Sequence, residues 1–528
     1  MLPKNLKYGS RVESSPAKSS RVNIAPQNGT GPYNLGDNII FNLPTRSNCV
    51  LVPSESYLKF TVNSLVTGTG NASFRWDGSG AHGVIQRIRV WHGSNLLSDI
   101  DNYSLLSKMM FDLQVATDSS YGKFNMLCGT RNDLVASFTN VQSNITENAA
   151  VLVAGAGSTL EACAVGAQYS TDLCSVVNAT VNACTAPFHS PVPVLQISGG
   201  EPLLDSTTGN SVVTSGHITK PTTYCLNLIS LIGTLCNTHY FPLFACTSAP
   251  IRVEIQLVDQ LYKCMNTVYG TALAAGVSPF SVANNFISNV EYIASIIELG
   301  DSAMSMIESS LEGEPLQFVV GDYRNYQYTY SIAGNASTQV NMPIPAKFSS
   351  LKSIFICLRD QGTGAPTYYP FSTVSNGLVD YYFRIGPHLK PAKAPNTYPE
   401  MFSEVVKAIG SMSDIHYSPN IEKTSYTLTT SNANTLALES NNSTNIGSGR
   451  FYIGLDLENY MEAPKDAIFA GYNTNTDDIF CVMDFSTSGQ NSYGLGATIA
   501  GATTVRFDAY ALFDTVIVFE NGTCYVRY

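Results

Sequence analysis

A strand–turn–helix unit that occurs twice constrains the fold of this chain more than any other feature of its sequence. In the first copy, residues 84–113, Ile88 and Val90 alternate with polar or aromatic residues as in a half-buried strand, and a polar turn and an amphipathic segment follow. We expect Asp101 to be the N-cap of the helix in that segment. The second copy, residues 378–410, has a strand, a proline-rich loop and a helix that ends at a glycine. The two copies lie 294 residues apart (84 to 378), which predicts an internal duplication.

Other segments of the first half have counterparts in the second half by pattern rather than by identity. We match residues 39–44 with 339–344, 57–62 with 353–358, and 251–257 with 505–511. The first two pairs keep nearly the same offset, whereas the third pair is only 254 residues apart. The first copy is therefore predicted to contain a longer excursion between its helix and its late strands.

The distribution of strand signals predicts an all-β protein made of two tandem eight-stranded antiparallel jelly rolls, with short helices and a long loop insertion in the first. Asn521-Gly522 between two β-rich runs is a strong hairpin signal. The alternating strand–helix order that would indicate a parallel sheet is absent. We divide the chain into a basic N-terminal arm (1–25), a first jelly roll (26–300) with a long excursion (114–221) carrying short strands of its own, a connector helix (301–315) and a second jelly roll (316–528).

The composition indicates that much of the surface is not exposed to water. Charged residues make up 13% of the chain, about half of the roughly 25% that is usual, while apolar residues make up 44%. We therefore expect part of the surface to lie in subunit interfaces; a secreted β-rich protein with a neutral polar surface is the alternative.

The net charge of −11 is unevenly distributed, because residues 1–21 carry a charge of +4. An arm of this kind, rich in Ser and Pro, is expected to be unfolded in isolation and to bind nucleic acid, anionic lipid or an acidic neighbouring subunit. The alternative is an ordinary disordered terminus. The candidate site residues of the arm are Lys4, Lys7, Arg11, Lys18 and Arg21.

Motifs that carry catalysis or cofactor binding are absent from the sequence. There is no phosphate-binding or dinucleotide-binding glycine motif and no G-x-S-x-G. His82 and His92 are the only close pair among seven histidines, and they flank a strand rather than share ligand spacing. We therefore predict no catalytic residue, no metal site and no cofactor.

The twelve cysteines are scattered without a C-x-x-C pair, which is typical of buried free thiols in a reducing compartment. The first residues contain no apolar leader, and no run approaches the ~20 apolar residues of a membrane span.

Four segments carry a family resemblance: RIRVWHGSNLLSDIDNYSLLSKMM (87–110), IPAKFSSLKSIFICLRD (344–360), DYYFRIG with the later YPEMFSEV (380–405), and FDAYALFDTVIVFENGTCYVRY (507–528). They resemble the double jelly-roll major capsid proteins of polinton-like viruses, virophages and related eukaryotic DNA viruses. The resemblance implies a structural protein of the virion, assembled inside the host cell, whose homotrimers form pseudo-hexagonal capsomers that tile an icosahedral shell around the genome.

The resemblance also implies roles for the remaining segments. The excursion would form an outward tower, and the arm would face the interior, near the genome, an internal membrane or minor capsid proteins. Neighbouring capsomers and penton proteins would be further partners. The alternative hypothesis is a glycan-active enzyme or lectin built on two jelly-roll domains, which would need aromatic platforms and a carboxylate pair in a cleft.

Overall fold

The computed structural model describes most of the two predicted domains. The described residues are 17–63, 72–76, 78–130, 222–236, 239–260, 263–269, 286–311, 313–332, 337–360, 371–410, 412–413, 419–427, 449–458, 471–485 and 503–528.

The first half of the chain forms two four-stranded antiparallel sheets, with strand orders β1-β11-β4-β8 and β2-β9-β6-β7. A short strand, β3, also pairs with β11, and β5 pairs with β10 in a separate two-stranded sheet. The strands are β1 (Ala17–Ile24), β2 (Asn38–Leu43), β3 (Cys49–Leu51), β4 (Tyr57–Val62), β5 (Ala72–Trp76), β6 (Ile85–His92), β7 (Asn95–Asp101), β8 (Thr222–Leu226), β9 (Ile251–Leu257), β10 (Met265–Tyr269) and β11 (Ile287–Leu299).

The second half repeats the same arrangement, with strand orders β12-β19-β14-β17 and β13-β18-β15-β16 and with β20 added beside β19. Position by position, the two halves have the same topology, which confirms the duplication and the two predicted jelly rolls. The strands are β12 (Leu316–Ile332), β13 (Thr338–Ile344), β14 (Leu351–Asp360), β15 (Leu378–Ile385), β16 (His388–Lys390), β17 (Tyr452–Asp456), β18 (Ile479–Phe485), β19 (Thr503–Glu520) and β20 (Thr523–Arg527).

Short helices lie between the strands. The longest helix in each jelly roll follows the equivalent strand, α1 after β7 and α5 after β16, as the duplicated sequence unit predicts. Described helices are α1 (Tyr103–Gln114), α2 (Thr117–Tyr121), α3 (Lys123–Cys128), α4 (Asp301–Leu311), α5 (Tyr398–Ile409) and α6 (Lys423–Tyr426). None of the described helices has the length and apolar character needed to cross a membrane.

Period-two alternation builds the core of each sandwich. Along β9 the apolar side chains are buried and the polar ones between them are not. In the first jelly roll the rings of Phe41 on β2 and Tyr292 on β11 meet with centroids 6.0 Å apart, so the two sheets pack face to face. In the second, Phe485 on β18 and Phe507 on β19 likewise meet between the two sheets, with ring centroids 6.2 Å apart.

The predicted strand–turn–helix unit contains a strand that we did not predict. After the turn at Gly93, residues Asn95–Asp101 form β7, which pairs with β6. Asp101 is therefore not the N-cap: it ends β7, its carboxylate accepts a hydrogen bond from the Asn102 N–H, and Asn102 occupies the N-cap position with φ of 48°. Alternation fails along β7 because consecutive residues, Leu97 and Ser98, are both buried.

One of the three predicted strand matches is wrong. β9 pairs with β2 and β6, and its structural counterpart is β18, which pairs with β13 and β15; the predicted match at 505–511 lies in β19, the counterpart of β11. Apolar alternation is shared by many strands, whereas position in a sheet depends on pairing partners. The correct match increases the extra length of the first copy, because the offset falls from 293 residues (85 to 378) to 228 residues (251 to 479).

The predicted arm also needs correction. Residues Ala17–Ile24 form β1, which pairs with β11 along its whole length, so they belong to the first sheet and not to an unfolded arm. The predicted excursion begins with helices α2 and α3, and residues 131–221, which include most of it, lie outside the described residues. The connector helix is present as α4, and the hairpin turn at Asn521-Gly522 has positive φ at both residues (51° and 74°), as a type I′ turn requires.

Candidate functional site: the edges of the two jelly rolls

The predicted basic site is only partly described. Lys18 and Arg21 are exposed on β1, the edge strand of the first sheet, and the Arg21 guanidinium lies 5.3 Å from the centroid of the Tyr57 ring. Lys4, Lys7 and Arg11 lie outside the described residues. The structure thus places two of the five basic residues on β1, one side of which pairs with no other described strand.

The two jelly rolls meet edge to edge. The contact is buried and combines hydrogen bonds with apolar packing, in which the rings of Phe241 and Phe519 have centroids 5.6 Å apart. β7, the edge of the second sheet in the first jelly roll, lies against β12, the edge of the first sheet in the second jelly roll. Ser98 Oγ donates a hydrogen bond to Asp322 Oδ1 at 2.9 Å across this contact. Asn102 Nδ2 donates to Asp508 Oδ1 at 2.7 Å, and Asp508 also accepts from the Arg359 guanidinium at 2.6 Å. These bonds fix the register of one domain against the other.

Asp322 is the carboxyl group that the interface perturbs most clearly. Its side chain is fully buried, and burial raises its pKa to about 7, although hydrogen bonds from the Tyr323 N–H and the Ser98 hydroxyl favour the charged form. Asp99 raises the pKa further, whereas Arg324 lowers it. The interdomain contact therefore contains a carboxyl group that changes charge near neutral pH.

Helix α1 inserts a buried ion pair into the second jelly roll. Lys108 Nζ and Asp112 Oδ2 are 2.5 Å apart, and both side chains are at most 1% exposed. The Tyr452 hydroxyl donates to Asp112 Oδ2 at 2.6 Å, and the Arg450 guanidinium lies 3.4 Å from Asp112 Oδ1. Burial and the adjacent Asp112 carboxylate raise the pKa of Tyr452 well above its usual value, so Tyr452 remains a donor. Removing Asp112 would leave the buried Lys108 ammonium without its carboxylate partner.

Our sequence analysis missed this ion pair, although the sequence contains a signal for it. Lys108 and Asp112 are spaced i, i+4 within the otherwise apolar helix YSLLSKMMFDLQ. Paired charges of opposite sign on a helix without a polar face indicate a buried partner rather than a solvated surface.

The C-terminal hairpin closes the contact from the other side. The Cys524 N–H donates to His92 Nδ1 at 3.0 Å, and Asn95 Nδ2 donates to the Cys524 carbonyl at 3.1 Å. Next to the hairpin turn, the Ser248 N–H donates to the Gly522 carbonyl at 3.0 Å. β20 thus belongs to the second jelly roll by strand pairing and is held by the first jelly roll through its backbone.

The structural counterparts of the contacting edges have no further strand beside them in the part of the chain that the structure describes. β16 is the counterpart of β7 and β1 is the counterpart of β12, and both end their sheets within the described part of the chain. Leu389 on β16 and Leu96 on β7 are each the second residue after a tight turn, with Gly386 and Gly93 at φ of 53° and 58°. Leu389 is 53% exposed, whereas β7 is largely covered by the second jelly roll.

A cavity of about 260 Å³ lies between α5 and the segment that leads into α6, and its lining is mostly aromatic and aliphatic with one acid, Glu422. In the described residues, no group of three or more His, Cys, Asp or Glu side chains is arranged to hold a metal ion.

Structural comparison aligns the whole chain with viral capsid proteins. PBCV-1 VP54, as fitted into a reconstruction of the virophage Sputnik, is 10% identical with a TM-score of 0.55, and 99% of each chain is covered. The mavirus major capsid protein is 11% identical with a TM-score of 0.52, covering 100% of this chain and 93% of that one. A chain of the Sputnik virophage structure is 9% identical with a TM-score of 0.51, covering 100% and 92%.

Sequence comparison adds nothing to this result, because no family model and no curated protein matches the chain. The structural neighbours are major capsid proteins of the double jelly-roll type. From its strand order and this whole-length similarity, we conclude that the chain has the double jelly-roll fold of viral major capsid proteins.

Proposed function

We propose that this chain is a viral major capsid protein, a structural component of the virion whose homotrimers have a pseudo-hexagonal outline and tile an icosahedral shell. The proposal rests on one observation: the same pair of sheet edges occurs twice, in a fold that matches capsid proteins over its whole length. One interdomain contact, β7 against β12, is made within the chain, whereas the equivalent pair of edges, β16 and β1, has no further strand beside it in the described residues.

A second copy of the chain fits these two edges. If β16 of one chain meets β1 of the next in the way that β7 meets β12, the same heterologous contact repeats from domain to domain. A rotation of about 60° at each step closes such a ring at six domains, which three chains supply. The internal duplication thus provides a physical reason for a trimer with a nearly sixfold outline.

We also propose for the other segments the roles that the family resemblance implies. The part of the excursion 114–221 that follows α3 forms the outward tower and contacts neighbouring capsomers. Residues 1–16, with Lys4, Lys7 and Arg11, extend from β1 toward the interior and bind the genome, an internal membrane or minor capsid proteins. Penton proteins fill the fivefold positions of the shell.

The test is the mass of the purified full-length protein in 1 M salt, measured by multi-angle light scattering. We expect three chains per particle, because apolar contacts at the edges are not screened by salt. Leu389→Glu should convert the particle to a single chain, since it places a charge in the proposed contact.

Met126→Glu is the matched control. Met126 is 79% exposed on α3, and α3 packs beside β8, the opposite edge of the sheet from β1, so this variant should remain a trimer. A wild-type monomer would contradict the capsid proposal. A trimeric Leu389→Glu variant would contradict only the assignment of β16 to the contact. Negative-stain images of the wild type should show particles with a hexagonal outline.

A further inference from the structure

Two cysteines from different jelly rolls meet at the interdomain contact. Cys246 follows a short 3₁₀ turn in the first jelly roll, and Cys524 is the second residue of β20 in the second. Both are free thiols with no exposed surface. Cys246 lies two residues before Ser248 and Cys524 two residues after Gly522, and the Ser248 N–H donates to the Gly522 carbonyl, so the two cysteines lie on adjoining segments. The neighbouring Cys246 side chain and burial raise the pKa of Cys524 far above its usual value.

The backbone on both sides holds this pair in place. The Ser248 N–H donates to the Gly522 carbonyl at 3.0 Å, so segment 246–248 runs beside the turn that leads into β20. The approach is close: a Cβ on Gly522 would lie 2.3 Å from Thr247 Oγ1. On the other side, His92 and Asn95 bind the backbone N–H and carbonyl of Cys524. Cys524 is thus fixed by two elements of the first jelly roll.

Another buried sulfur contact shows what distinguishes this pair. Cys357 also contacts a sulfur atom from the other jelly roll, but its neighbour is Met109 Sδ at 3.9 Å, a thioether that cannot form a disulfide. Cys246 and Cys524 bring two thiols together between elements that are 278 residues apart in the chain (246 to 524).

We propose that Cys246 and Cys524 form an interdomain disulfide when the protein moves from a reducing to an oxidising environment. The oxidant is a small-molecule disulfide of the glutathione class. One cysteine loses its proton and its thiolate attacks this disulfide, which forms a mixed disulfide and releases one small thiol. The second thiolate then attacks the protein sulfur of the mixed disulfide and releases the second small thiol. Two protein thiols are oxidised and one small disulfide is reduced.

Because both thiols are buried, the hairpin must open before they can react, and the bond that forms then stabilises the folded state. The thiolate is disfavoured while both sulfurs are covered, so oxidation requires a local opening of the β19–β20 hairpin, which closes again over the new bond. Once formed, the bond ties the C-terminal hairpin to the first jelly roll and closes a long loop, which favours the folded state over the unfolded chain.

The experiment uses the purified full-length protein, incubated at pH 8 with oxidised glutathione and, in parallel, with dithiothreitol. After unfolding in denaturant with an alkylating reagent, ten of the twelve cysteines should be alkylated in the oxidised sample and all twelve in the reduced one. Peptide mapping should find residues 246 and 524 in one cross-linked species. The Tm of the oxidised protein should exceed that of the reduced protein by about 5 °C.

Cys246→Ala and Cys524→Ala should each abolish both the cross-linked peptide and the Tm difference. Cys481→Ala, which removes a buried cysteine inside the second jelly roll, should retain both. Twelve alkylated cysteines in the oxidised wild type, or a cross-link that joins other cysteines instead, would overturn the proposal. Because the wild-type peptide map decides the question, poor folding of a variant cannot obscure the result.

Discussion

At the scale of single residues, Asp322 in the interdomain contact makes the stability of the protein depend on pH. Its carboxyl group is buried between β12 and β7, and its pKa is raised to about 7, compared with about 3.9 in an unfolded chain. The folded state therefore binds this proton more tightly than the unfolded state does. The resulting stability is fully present below about pH 4 and is lost as the pH rises through 7.

Asp322→Asn should remove this pH dependence. The amide oxygen can still accept the hydrogen bonds from Ser98 and the Tyr323 N–H, while the side chain no longer ionises. We expect the variant to be more stable than wild type at pH 8 by on the order of 3 kcal/mol, with the difference vanishing near pH 4. Urea unfolding at a series of pH values measures this difference.

The stability of Asp322→Asn must be compared with that of wild type at each pH, because His82 changes the stability of both proteins with pH in the opposite direction. Burial lowers the pKa of His82 to about 3, so its contribution to stability is lost as the pH falls below about 6.5. Asp118→Asn, an exposed change on α2, controls for net charge and should leave the pH profile unchanged. A profile for Asp322→Asn that parallels the wild type between pH 4 and 8 would show that Asp322 does not titrate there.

At the scale of elements, the packing of α5 on β17 depends on a glycine. A Cβ at Gly454 in β17 would lie 2.7 Å from the Cα of Val405 in α5 and 3.3 Å from the Cβ of Ala408. The nearest atom belongs to the helix backbone, which cannot move without displacing α5 from the sheet.

Gly454→Ala should therefore destabilise the second jelly roll by about 1–3 kcal/mol, the usual cost of overpacking. Gly410→Ala is the matched control: Gly410 ends α5, its φ of −175° suits any residue, and a Cβ there meets nothing within 4 Å. Denaturant midpoints of the two variants give the comparison. Equal midpoints for Gly454→Ala and wild type would mean that α5 is not seated on β17 as described.

Elements that are buried only by their own domain could be predicted from the sequence. Elements that the other domain also buries could not. The alternation in β6 and the apolar stripe of α5 survive in the structure, because one face of each is buried against its own domain. β7 was missed because the second jelly roll buries it from the other side as well. β9 was assigned to the wrong counterpart because strand pairing, rather than alternation, determines position in a sheet.

At the scale of the whole molecule, the position of β1 redefines the basic arm. Because Ala17–Ile24 pair with β11, only residues 1–16 can be removed without cutting into the first sheet. We expect a deletion of residues 1–16 to leave the Tm and the trimer unchanged while impairing shell assembly, since it removes three basic residues proposed to bind interior partners.

Deletion of residues 1–21 is the informative comparison, because it also removes most of the pairing between β1 and β11 and should lower the Tm. Thermal unfolding, light scattering and negative-stain imaging of both deletions measure these effects. Shells formed by the shorter deletion as efficiently as by wild type would contradict the interior role of the arm.

The sequence by itself determined the fold class, the duplication and the hairpin at Asn521-Gly522, because periodicity and turn chemistry are local properties of the chain. Only the tertiary structure decided which edges meet, why Lys108 and Asp112 are buried, and that Cys246 and Cys524 are neighbours. Those features depend on how one jelly roll is placed against the other, and no local pattern encodes a contact between residues hundreds of positions apart.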